Sequence, residues 1–135
     1  MGHTATAIGL FLLLMLGALA PQSTGQKSTA AEKEWIYRIQ PARPDMLKTG
    51  PTTEEMGIVQ DHFNHLKELT TKGVVIFAGR TLTDDEDSFG IVVFHAASEE
   101  AALEVMNGDP AVRKGVMKAK LFPFHVALMQ GKPVE

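Results

Sequence analysis

Apolar and polar residues alternate along this chain with a period that switches between two and about 3.6, and those switches mark out its elements. Trp35, Tyr37 and Ile39 alternate with Arg38 and Gln40, the pattern of a strand with one buried face. Pro41 and Pro44 end it, because proline cannot donate to a ladder. A loop is expected from there to Pro51. Thr52-Thr53-Glu54-Glu55 then has the T-x-x-E form, in which a hydroxyl and a carboxylate satisfy the free amides of a helix start. The helix is predicted to end near Gly73. Met56, Val59, Phe63, Leu66 and Thr70 recur in it at spacings of three and four, as a core-facing stripe does.

Val74 to Ala78 and Phe89 to Phe94 are short runs of β-branched and aromatic residues and read as two strands, with the polar, acidic segment Thr83 to Ser88 as the hairpin loop between them. Ser98-Glu99-Glu100 starts a second helix, with a capping hydroxyl and two carboxylates at the positive end of the dipole. Asn107-Gly108 stops it, and Asp109-Pro110 opens a short helical turn. A last strand is expected from Met117 to Leu128, interrupted at Pro123. The order β-α-β-β-α-β predicts an α+β domain of ferredoxin-like form, an antiparallel sheet with both helices on one face. The two central strands are apolar at consecutive positions, so both faces of the sheet are expected to be covered. Helices cover one. The second cover expected is the sheet of another copy, giving a homodimeric α/β barrel with a small-ligand cavity.

Before this domain, Ile8 to Ala20 is an apolar run of 13 residues followed by PQSTGQKSTA. That is short for a membrane span and has the length of the apolar part of a secretory signal. The expected organisation is a signal peptide over 1–25, a flexible lead over 26–33, the domain over 34–130 and a tail over 131–135. Ser23-Thr24-Gly25 is the favoured cleavage site, and a short buried helix or an uncleaved anchor is the alternative. Cleavage implies a secreted or periplasmic protein with no stable membrane insertion. Among its 135 residues there is no cysteine, which excludes disulfides, Cys-type zinc sites and a thiol nucleophile. The net charge of -3, with Lys and Arg scattered, excludes the basic footprint that nucleic acid requires.

The chemistry-bearing residues are few. His62 and His65 stand at i and i+3, sharing a helix face with Ile58 and Leu69 at the margin of the core. An imidazole there suits acid-base work, or simply makes one structural hydrogen bond. Asp109 is placed to cap the short helix, and its carboxylate could also orient a histidine. Arg80, directly after Gly79, is a candidate contact for an anionic substrate, ahead of Arg113 and Lys114. Two histidines at this spacing lack a clear third ligand, so no metal or other cofactor is expected. His95 and His125 read as structural, and Asp84 to Asp87 as a solvated turn without the spaced oxygens of a calcium loop.

His62, Gly73, Ala78-Gly79, Asp109-Pro110, Gly115-Val116 and Pro123-Phe124 together resemble the pattern of the YCII-related domain family, over about Trp35 to Leu128. The resemblance implies a ferredoxin-like fold that forms dimeric barrels. It also implies an active site made by a histidine of the first helix and the aspartate of the Asp-Pro turn, here His62 and Asp109. Arg80 departs from the pattern, since a proline often follows that glycine, and export is unusual for the family. The function expected is a small-molecule enzyme of isomerase or lyase type, with His62 and Asp109 as acid-base pair and His65 and Arg80 as substrate contacts. The alternative is a non-catalytic exported dimer that binds a small ligand or serves as an accessory module.

Overall fold

The computed structural model describes residues 32–131, together with Gly2. Apart from Gly2, the expected leader over 1–25 lies outside the described residues, as do 26–31 of the lead and 132–135 of the tail. β1 (Lys33–Pro41) is followed by a four-residue helix, α1 (Met46–Thr49), and then by α2 (Thr53–Thr71). β2 (Val75–Arg80) and β3 (Gly90–Ala96) form the hairpin. α3 (Glu99–Gly108), α4 (Pro110–Arg113) and β4 (Met117–Phe124) complete the chain. The sheet is antiparallel, in the order β2-β3-β1-β4, with the helices on one face: the α+β, ferredoxin-like arrangement.

Local chemistry explains most of the boundaries. The Thr52 hydroxyl accepts from the Glu55 amide at 3.2 Å, and the Glu55 carboxylate accepts from the Thr52 amide at 2.8 Å, so the capping box is complete. The same carboxylate takes a two-pronged bond from Arg43, at 3.0 and 2.7 Å, which ties the β1–α2 connection to the helix start. That connection contains α1, where a plain loop was expected; Met46 anchors it in the core at 5% exposure. α2 ends at Lys72 and Gly73, whose φ of 75° is a conformation that glycine adopts without a Cβ clash. The last strand stops at Phe124, short of the expected Leu128, and Pro123 sits in it opposite Trp35 without interrupting it.

The core lies between sheet and helices. Trp35, Tyr37 and Ile39 of β1 and Val92 and Phe94 of β3 meet Leu66 of α2 and Ala102 and Met106 of α3. Each large side chain among them contributes about 1.5–3 kcal/mol by leaving water. The stripe of α2 expected to face this core does not do so as a whole. The buried residues of the helix are Ile58 and Leu66, whereas Met56 and Phe63 are 56% and 61% exposed and Thr70 is exposed as well. The core-facing side carries His62 and His65 between Ile58 and Leu69, so the apolar periodicity is strongest on the flank.

Candidate functional site

The sequence of the α3–α4 junction builds an unusual carboxylate position. Asp109 begins α4 and its Oδ1 accepts from the Ala111 amide at 3.0 Å, the capping bond that Asp before Pro predicts. The turn is packed against α2, and this side chain is fully buried. A buried carboxylate needs partners, and two further donors supply them. His62 Nδ1 lies 2.8 Å from Oδ1 and 2.7 Å from Oδ2, and the Tyr37 hydroxyl donates to Oδ2 at 2.7 Å. Burial acts to raise the Asp109 carboxyl, but the bond from His62, its charge, the Tyr37 hydroxyl and the Ala111 amide outweigh it, so the group stays below the usual carboxylate value. It is a carboxylate and an acceptor. Nδ1 of His62 therefore carries the proton, and in the neutral ring Nε2 holds the lone pair.

That second nitrogen has somewhere to act. His62 lines a cavity of about 360 Å³ between α2 and the end of the sheet. Its walls are mainly apolar, formed by Ile39, Val59, Phe63, Phe89 and Met117 among others, with Ser88 and Arg80 as further polar side chains and no Asp or Glu. The His62 side chain keeps 15% exposure while its Asp109 partner has none, so one edge of the ring is fixed in the core and the rest borders the cavity. Arg80 reaches this space because of an irregularity in β2. Val75 pairs with Phe94, but after a register shift Phe77 pairs with Val93, Ala78 with Val92 and Arg80 with Gly90. The extra residue reverses the alternation, so Ala78 and Arg80 point to the helix side with the cavity. Arg80 Nε donates to the Thr81 carbonyl at 3.0 Å, and its terminal amino groups make no bond among the described residues.

Of the four residues singled out from the sequence, the fold thus brings His62 and Asp109 into contact and sets Arg80 across the same cavity. His65 is not among the residues that line the cavity, and its buried Nε2 has no hydrogen-bond partner among the described residues. Lys114 is paired with Asp61 at 3.5 Å, and His125 lies 3.1 Å from Glu34 at the opposite end of the sheet. Among the described residues no three His, Asp or Glu side chains converge as a metal site would need. Tyr37 is the partner of Asp109 that sequence reasoning missed. It reads as one more apolar position of β1, and the available signal was that a buried tyrosine requires a partner for its hydroxyl.

No curated protein matches the chain. Among solved structures, 5-chloro-2-hydroxyhydroquinone dehydrochlorinase from Burkholderia phenoliruptrix AC1100, in complex with 2,5-dihydroxybenzoquinone, is similar with a TM-score of 0.49 and 15% identity, over 67% of this chain and 93% of that one. The family model described as the YCII-related domain matches residues 35–125, from Trp35 in β1 to His125 just past β4. That span contains the sheet except the first two residues of β1 and, within it, His62 and Asp109, and the chain belongs to the YCII-related domain family.

Proposed function

We propose that this protein is a small-molecule enzyme of isomerase or lyase type in which His62 moves a proton and Asp109 orients it. The observation that carries the reading is the division of the imidazole: Nδ1 is bound to a fully buried carboxylate and the ring borders a mainly apolar cavity. In the forward step Nε2 takes a proton from a substrate carbon. The electron pair of that C–H bond then forms a carbon-carbon double bond. Either a leaving group departs from the neighbouring carbon, or the electrons shift onward and the imidazolium returns the proton at another carbon. Asp109 stabilises the imidazolium formed on the way. Arg80, across the cavity, binds the negative charge of the substrate or the charge that develops on its oxygen.

The test works whatever the product is. A panel of small cyclic and keto acids is incubated with the protein in D₂O, and loss of carbon-bound proton signals is followed by NMR. The enzyme reading expects at least one compound to exchange, and His62→Ala to lower that rate by roughly 10²- to 10⁴-fold. A compound that binds wild type and His62→Ala equally, with no exchange by either, gives the site to a binding module instead.

The reading includes a second copy of the chain on the open face of the sheet, where Phe77 and Phe122 are 41% and 38% exposed on strands flanking the pair that holds Val93. It also includes export, with removal of residues 1–25; the mass of protein recovered outside the cytosol of an expressing host decides that point. No helix among the described residues is long and apolar enough to cross a membrane.

A further inference from the structure

Tyr37 sits in the middle of β1 with 1% exposure, its ring edge-on to Phe94 at 5.8 Å between centroids. A phenylalanine would fill that space equally well. What the hydroxyl adds is one bond, 2.7 Å to Oδ2 of Asp109, the same oxygen that stands 2.7 Å from His62 Nδ1. Burial, the charge of Asp109 and this bond all push the phenol above its usual range, so Tyr37 stays protonated and can only donate. A donor on a carboxylate oxygen draws charge from it, and a carboxylate with less charge to offer holds a neighbouring imidazolium proton less tightly.

We propose that Tyr37 is a positioning residue of the site, whose hydroxyl fixes the Asp109 carboxylate and tempers its pull on the proton of His62. The proposal rests on the acid-base reading of His62 and adds to it the device that sets how readily the imidazole releases its proton. An imidazole gripped too strongly by a naked buried carboxylate stays charged and cannot act as a base; sharing Oδ2 with a phenol avoids that. The other titratable groups near His62 are Arg80 across the cavity on β2, His65 and Asp61 on α2 itself, and Lys114 after α4 in its pair with Asp61. None hydrogen-bonds to the imidazole, and all are the same in each protein compared below.

The measurement is the NMR titration of the His62 ring in wild type, Tyr37→Phe and Asp109→Asn. Tyr37→Phe is expected to raise the titration midpoint by about one pH unit, as loss of a strong donor to the partner carboxylate requires. Asp109→Asn is expected to lower it. Tyr37 is the sole tyrosine of the chain, so growth on 3-fluorotyrosine replaces it uniquely with a stronger donor of nearly the same shape. That protein is expected to titrate lower than wild type, and it keeps the test open where Tyr37→Phe folds poorly. A midpoint unmoved by both tyrosine changes, with Asp109→Asn shifting it, overturns the proposal and leaves the His62–Asp109 pair standing. No movement in any of the three overturns the pairing on which the proposed function itself depends.

Discussion

Asp109 is the most completely buried charged side chain among the described residues. Its carboxylate has no contact with water and satisfies a ring nitrogen, a phenol and a backbone amide at once. Asp109→Ala removes the acceptor from all three donors, and leaving buried donors unpaired costs about 1–3 kcal/mol each at most sites, so a loss of roughly 3–5 kcal/mol is expected in urea unfolding. His62→Ala is expected to cost less, about 1–2 kcal/mol, since Tyr37 and Ala111 still satisfy the carboxylate. Equal losses in the two variants would mean that the histidine is framework. The two residues are 47 positions apart and Tyr37 lies 72 from Asp109, so no local pattern could pair them. The capping role of Asp109 was legible from the Asp-Pro step. The link to His62 came from the family resemblance, and the one to Tyr37 had no signal beyond a buried hydroxyl.

At the scale of elements, the start of α2 is held by charge. The bond from Arg43 leads, with the Thr52 amide behind it, in bringing the Glu55 carboxyl from 4.5 to about 2. A depressed carboxylate stabilises the fold above its unfolded value and loses that contribution as pH falls through the folded one. Wild type is therefore expected to melt higher than Glu55→Gln at neutral pH, with the gap closing between about pH 4.5 and about pH 2. A gap that is constant over that range would mean that the Arg43–Glu55 pair adds nothing through its charge. Helix ends of this kind were readable because a cap is decided within four residues. The face of α2 was not: its core side carries two histidines, while Met56 and Phe63 lie on the exposed flank. α1 escaped sequence reading for a similar reason, since nothing in Met-Leu-Lys-Thr identifies a helix, and its residue Met46 is held by tertiary packing.

For the whole molecule, the βαββαβ order was legible because each strand is short, apolar and bounded by proline, glycine or a cap, and the right-handed crossovers leave few topologies. The register was not legible. The shift between Val75 and Phe77, which sends Arg80 to the cavity side, depends on how β2 meets β3 rather than on β2 alone. The open face of the sheet bears on assembly. If a second copy covers it, Phe122→Glu is expected to convert the dimer to monomer in light scattering while leaving the fold intact, because it buries a charge only in the assembly. A protein that is monomeric throughout contradicts the barrel.

Everything proposed for the site depends on Asp109 fixing the His62 proton on Nδ1 and leaving Nε2 free to act as a base at the cavity. Nitrogen-15 NMR of the imidazole ring, above its titration, distinguishes the two tautomers directly. A protonated Nδ1 and a bare Nε2 are expected in wild type. A ring that carries its proton on Nε2 would contradict the acid-base role, because no base would then face the cavity.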